Sequence, residues 1–203
     1  VIKYNHFFIK KMQNIYITGT GFWVPEDGLT TNDEVVKSYN AFVDNFNLDN
    51  AEAISAGSLE ALSHSSSEFI EKASGIKTRY LYDKHNCLDP NRMKPKTRPE
   101  LPDNTSILAE MGIESSKKAI ENAGITVDDI DGIILGTSHS ARNYPAIAIE
   151  IQEALGINGY AYDMLVGCSS TTFAISNAYS DIASGLASTC LLYTSPSPRD
   201  RLK

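Results

Sequence analysis

Between Thr105 and Leu192 two patterns alternate: apolar runs too short for a helix, and longer stretches whose apolar residues recur at helical spacing. Ile107, Met111, Ala119, Ile120 and Ala123 form a helical stripe, and Gly124 is placed to stop it. Gly132-Ile133-Ile134-Leu135-Gly136 reads as a short apolar strand bounded by glycines. Ile147, Ile151 and Leu155 line a second helix that Gly156 ends, with Pro145 expected in its first turn, where a missing N–H costs nothing. Tyr160 to Val166 reads as the next strand and runs into Gly167-Cys168-Ser169-Ser170. A third helix carries Ile175, Tyr179, Ile182 and Leu186, with Gly185 near its end. Strands that alternate with helices imply an α/β layered fold: a mixed, largely parallel sheet with helices on both faces.

Upstream the pattern is less regular. Ile15 to Gly21 reads as a buried strand ending in glycines. Gly19-Thr20-Gly21 does not make a dinucleotide loop, because Phe22, Trp23, Val24 and Pro25 follow where a helix with a third glycine is needed. Thr31-Asn32 is a helix cap, and the helix is expected to reach about Phe46. Residues 47–104 are polar, with Pro90, Pro95, Pro99 and Pro102, and read as a surface insertion in the α/β domain. Arg92, Lys94, Lys96 and Arg98 are a basic cluster within it, which by itself reads as a solvated loop. Residues 1–11 are expected to be upstream translated sequence ahead of a natural start at Met12. Residues 193–203, with Pro196, Pro198 and three basic residues, are expected to be a non-native tail that cannot enter a central strand. The domain proper is then 12–192.

Charge and cysteine usage narrow the function classes. The chain carries 25 acidic against 18 basic residues, a net charge of −7, which disfavours nucleic acid as a main partner. No uninterrupted apolar run reaches the length of a transmembrane helix. Cys87, Cys168 and Cys190 are far apart, odd in number and without a Cys-x-x-Cys pair, so neither a disulfide framework nor a zinc site is expected. A reducing cytoplasm fits that usage, and no metal or cofactor is expected.

A lone cysteine is usually a small core hydrophobe. Cys168 has a different context: it ends a strand after Gly167, and Ser169, Ser170, Thr171 and Thr172 open a helix behind it. Free N–H groups and the positive end of the helix dipole at such a position favour the thiolate, the reactive form. A strand-to-helix turn also presents its side chain at the carboxyl edge of the sheet, where α/β enzymes place their ligands. Cys168 is therefore the candidate nucleophile.

Several short stretches, in their order and spacing, carry a resemblance. They include Ile17-Thr18-Gly19-Thr20-Gly21 with Pro25, Thr31-Asn32, Phe69-Ile70 with Ser74-Gly75-Ile76 and Arg79, and Ala123-Gly124-Ile125. They continue with Asp129-Ile130-Asp131, Tyr144-Pro145, Gln152, Leu155-Gly156, Tyr162-Asp163, Gly167-Cys168 and Ala183-Ser184-Gly185. From Ile15 to about Leu192 the chain resembles the N-terminal half of β-ketoacyl-acyl carrier protein synthase III, a thiolase-like family. The resemblance implies an acyltransferase of fatty-acid biosynthesis: Cys168 takes an acyl group from acyl-coenzyme A, and malonyl-acyl carrier protein condenses with it after losing carbon dioxide. It further implies a homodimer, with Tyr144 reaching across the interface to line the acyl pocket, and a coenzyme A region that includes Phe69 and Arg79. The backbone N–H of Cys168 would be an oxyanion donor.

The chain also departs from the family. Trp is usual where Phe69 stands, and Arg where Ala73 stands; Phe69 retains a ring to stack on adenine, whereas Ala73 offers no phosphate contact. The family's decarboxylating His and Asn belong to a second half, and His139 matches no catalytic position. Hydroxymethylglutaryl-coenzyme A synthase and head-to-head acyl condensing enzymes share the cysteine turn and remain alternatives. A non-catalytic partner subunit of the chain-length-factor kind typically lacks the cysteine. A stand-alone thiol hydrolase would need a histidine partner that the sequence does not place.

Overall fold

A computed structural model describes residues 14–96, 105–140 and 142–194. Those within Trp23–Asp103 make one compact unit, and those within Val1–Phe22 and Asn104–Ser195 make another.

The first unit opens with β1 (Leu29–Thr31) and α1 (Asn32–Asp49), followed by α2 (Ala51–Ser55), α3 (Ser67–Ser74), β2 (Thr78–Tyr80) and α4 (Lys84–Cys87). Thr31 caps α1 through a capping box: its hydroxyl accepts the Glu34 N–H, and the Glu34 carboxylate accepts the Thr31 N–H. Lys84 Nζ, 2.6 Å from Glu34, holds that carboxyl down to about 2, with help from the Thr31 N–H. The polar stretch after α1 has so few apolar residues that hydrogen bonds must order it. Asn40 donates to the Ser65 carbonyl and accepts its N–H, and Asn47 does the same with Leu62. Asn32 reaches further, to the Ile76 carbonyl at 2.7 Å. β2 then pairs antiparallel with β1, Thr30 opposite Arg79. The described residues of the polar segment expected as a surface insertion are tied to α1 and β1 by these bonds.

The second unit holds α5 (Ile107–Ala123), β3 (Gly132–Thr137), α6 (Ile147–Leu155), β4 (Tyr160–Leu165), α7 (Ser170–Ser184) and β5 (Cys190–Thr194). The sheet order is β4-β3-β5, and both pairings are parallel. All six residues of β3 are buried. Alternation along the strands divides the core between two faces. Ile133 and Leu135 of β3, with Leu191 and Tyr193 of β5, meet Ala109 of α5 and Ile147, Ala148 and Ile151 of α6. Ile134, with Cys190 and Leu192, meets Ala174 and Ala178 of α7. The α/β class with a parallel sheet and helices on both faces is what the structure has.

Four expectations need correction. Ile15–Gly21 forms no strand among the described residues: Tyr16 and Ile17 are exposed, and the segment lies along α5 instead. Asn122 Nδ2 donates to the Thr20 carbonyl and Lys118 Nζ to that of Phe22, so side chains of α5 take the place of a strand partner. Pro145 precedes α6 rather than entering it; the first N–H groups of α6, at Ile147 and Ala148, donate to the Asp163 carboxylate at 2.8 and 2.9 Å. Tyr193 and Thr194, expected in the tail, belong to β5, which ends before the prolines; residues 195–203 lie outside the described residues. In α7 the inward positions are Ser170, Ala174 and Ala178, whereas Ile175 and Tyr179 of the expected stripe are exposed.

Asp163 ties β4 to α6 by satisfying two orphan helix donors, one from each carboxylate oxygen. We expect Asp163→Ala to destabilise the chain by about 1–2 kcal/mol, the range for losing a capping side chain. Asp163→Asn keeps one acceptor and should lose less. Urea unfolding checks this; an unchanged midpoint in the alanine variant would remove Asp163 from the account of how α6 is placed.

Candidate active site

Parallel strands deliver their connections to one edge, so the segments leaving β3 and β4 emerge side by side beyond the paired residues Thr137 and Leu165. The first carries Tyr144 and the second Cys168.

Cys168 occupies the middle of a single 3₁₀ turn, Gly167–Ser169, between β4 and α7. Gly167 has φ +62°, a left-handed conformation that disfavours any other residue although the space around it is open. The turn is held from beneath by Ser170, which is 3% exposed. Its hydroxyl accepts the Val166 N–H at 3.0 Å and lies 2.9 Å from the Thr137 carbonyl and 2.8 Å from that of Gly167. One side chain thereby joins the end of β3, the end of β4 and the start of α7. The approach is close because Gly136 has no side chain: a Cβ there would come within 3.0 Å of the Ser170 carbonyl oxygen. With Ser170 turned inward, Cys168 is left exposed.

The other two cysteines differ. Cys87 and Cys190 are half-buried, and burial pushes both thiols up. Asp83 adds to the effect at Cys87, while Asp181 and Asp131 add to it at Cys190. Cys190 also sits 3.5 Å from the Tyr160 hydroxyl, which donates to Asp181 at 2.6 Å and is itself pushed far up, first by burial and then by that bond.

Tyr144 is 85% exposed in the segment before α6. Phe69, on α3 of the other unit, is 65% exposed and free to offer a ring face. Arg79 is placed differently from Phe69: it is buried in β2, with Nη2 donating to Asn32 Oδ1 at 2.5 Å and Nη1 to the Thr31 carbonyl. Its guanidinium therefore serves the junction of β1, β2 and α1. Of the basic cluster, Arg92 donates to the Lys94 and Pro95 carbonyls, Lys96 donates its N–H to Asp83, and Arg98 lies outside the described residues. The described histidines show no link to Cys168: His64 pairs with Asp44, and His139 bonds Thr137 through its backbone. Among the described residues no group of three His, Cys, Asp or Glu side chains is placed to hold a metal ion. No helix among them is long and apolar enough to cross a membrane.

The sequence pointed to the cysteine but not to the serine beneath it. Ser170 reads as one of four consecutive hydroxyl residues, and only the fold distinguishes the inward one.

No protein-family profile matches the chain. It is 50% identical over 157 residues to a beta-ketodecanoyl-acyl-carrier-protein synthase of Pseudomonas aeruginosa, a stretch covering 77% of this chain and 45% of that protein. It is 43% identical over 83 residues to a beta-ketoacyl-acyl-carrier-protein synthase III of Bartonella tribocorum, covering 40% of this chain and 26% of that one. The chain therefore spans less than half the length of these relatives. Among solved structures, 3-oxoacyl-acyl-carrier-protein synthase III of Aquifex aeolicus superposes with a TM-score of 0.61 at 23% identity, over 88% of this chain and 44% of that one.

Exposure and thiol acidity together predict selectivity. Iodoacetamide in limiting amount at neutral pH should label Cys168 ahead of Cys87 and Cys190, because raised thiol pKa values leave those two with less thiolate. Peptide mapping by mass spectrometry reads the order of labelling. Cys87 or Cys190 reacting first would remove Cys168 as the nucleophile.

Proposed function

We propose, for a thiolase-fold chain related to the β-ketoacyl-acyl carrier protein synthases III, a Claisen condensation in fatty-acid biosynthesis carried by Cys168. The observation that supports it is the exposed thiol at the β4–α7 turn, fixed by Gly167 and Ser170 at the edge where parallel strands deliver their loops.

In this reading Cys168 Sγ attacks the carbonyl carbon of an acyl-coenzyme A. The coenzyme A thiolate leaves and takes up a proton, and the acyl group remains as a thioester on Cys168. Malonyl-acyl carrier protein then loses carbon dioxide, and the electron pair of the broken C–C bond becomes an enolate. The enolate carbon attacks the thioester, the bond to Sγ breaks, and a β-ketoacyl-acyl carrier protein departs as Cys168 returns to thiolate. Covalent capture divides one difficult step into two easier ones, and the Cys168 N–H supplies one donor to the oxyanion that forms in both. Phe69 stacks on the adenine of coenzyme A. Arg79 supports that region from inside, through Asn32 and Thr31. Tyr144 lines the acyl pocket of a second copy in a homodimer. The reaction is cytoplasmic, and the groups that stabilise the enolate come from the part of the relatives that this chain does not span.

Mass spectrometry of the full-length enzyme with an acyl-coenzyme A tests the first step. The acyl mass should appear on the peptide containing Cys168 and be absent in Cys168→Ala; acylation that survives the substitution refutes the assignment. Residues 1–203 alone should release no carbon dioxide from malonyl-acyl carrier protein, and turnover near the full-length rate would overturn the division of labour.

The carrier protein is acidic, so docking calls for a basic surface on a chain of net charge −7. Arg92, Lys94, Lys96 and Arg98 are proposed for it. Reversing all four charges should raise KM for the carrier substrate and flatten its salt dependence. An unchanged KM identifies a solvated loop.

A further inference from the structure

Tyr144 is one of the most exposed aromatic side chains described, yet the segment that carries it is tied down on either side of it. Arg142 and Glu150 form an ion pair between this segment and the first turn of α6, and their side chains are 27% and 12% exposed. Each partner makes a second contact to backbone. Arg142 Nε donates to the Pro145 carbonyl at 3.1 Å, closing a short loop around Asn143 and Tyr144. The other carboxylate oxygen of Glu150 accepts the N–H of Ser106, the N-cap residue of α5, at 2.7 Å. The Ser140 hydroxyl donates to the Arg142 carbonyl at 2.7 Å, and the Thr137 hydroxyl to that of His139 at 2.8 Å.

The contacts thus run from the end of β3, through Arg142 and Glu150, to the N-cap of α5 and the first turn of α6. A charged pair with most of its surface removed from water must be well bonded to repay its desolvation, and beyond each other these two side chains have two backbone partners, the Pro145 carbonyl and the Ser106 N–H. Such an arrangement fixes where a loop goes; it does little for Tyr144 itself, whose ring stays in solvent.

We propose that Arg142 and Glu150 are positioning residues that set the reach of Tyr144, and so set the acyl-chain length accepted at Cys168 of the second copy in the homodimer. This rests on the reading of Tyr144 as an acyl-pocket residue. Neither side chain touches the acyl group; they act by holding the loop at one length and direction, because a pocket floor displaced by a fraction of a methylene changes which chain fits.

The test measures acylation rates of Cys168 in the full-length enzyme with acyl-coenzyme A substrates from short to long, by intact mass. Tyr144→Ala should shift the ratio of long-chain to short-chain rates several-fold. Arg142→Ala and Glu150→Ala should shift it too, with Arg142→Lys, which retains the ion pair, closer to the parent. In the Tyr144→Ala background the clamp substitutions should add no further shift, since their effect passes through that ring. Thermal unfolding accompanies each variant, and Glu150→Gln, which keeps an acceptor for the Ser106 N–H, replaces any variant that does not fold. If Tyr144→Ala changes the ratio and the clamp variants do not, the clamp is refuted and the Tyr144 reading stands. If Tyr144→Ala leaves the ratio unchanged, the Tyr144 reading fails and the clamp with it. Clamp variants that slow all substrates equally, or act undiminished without Tyr144, are structural only and refute the proposal.

Discussion

Strand β3 has water on neither face and on neither edge: its six residues are buried, and β4 and β5 take its two rows of backbone groups. A strand in that position must be covered on both sides, and the two sides are covered by different means. Ile133 and Leu135 present large side chains to α5 and α6. The opposite face reads Gly132, Ile134, Gly136, so bulk is present only at its centre. The Tyr160 ring packs over Gly132, where a Cβ would come within 2.3 Å of it, and the start of α7 comes down over Gly136. Helix approach there is controlled by backbone, which leaves less freedom than side-chain packing would. The position of Cys168 follows from that approach.

Ser170 converts the close approach into a fixed turn. Its hydroxyl has one proton and two carbonyls to give it to, and its lone pairs accept the Val166 N–H, so the ends of β3 and β4 are tied to one atom. A buried hydroxyl without partners would cost more than this one contributes, so the arrangement is stable only when complete. The three residues Gly167–Ser169 have little choice of path between β4 and a helix that must begin at Ser170. Gly167 absorbs the unusual φ, Ser169 begins the helix geometry, and Cys168 is left pointing away from the core.

Much of this was legible in the sequence because glycine punctuates it. Gly124, Gly156 and Gly185 sit at the ends of α5, α6 and α7 in left-handed conformations, and each marks a stop that periodicity alone would blur. What was not legible depended on partners distant in the chain. The run from Ile15 to Gly21 has strand composition, but α5 rather than a strand offers it hydrogen bonds. The asparagines of α1 look like surface residues until Leu62 and Ser65 are found against them. Arg142 and Glu150 are eight residues apart across a loop, a spacing with no periodic meaning, and Arg79 looks like a ligand contact until its burial is known. In each case a partner distant in the chain decided a use that local sequence leaves open.

Helix α7 shows how the same periodicity can mislead about direction. Its large apolar residues Phe173, Ile175 and Tyr179 are exposed, and the residues it buries are Ser170, Ala174 and Ala178. Close approach to Gly136 explains the inward choice, since only small side chains fit between a helix and a strand at that distance. The outward choice then has no role in this sheet, because burying each such side chain is worth roughly 1.5–3 kcal/mol that the chain as it stands does not gain. Leu165 and Val166, a few residues before Cys168, are exposed as well.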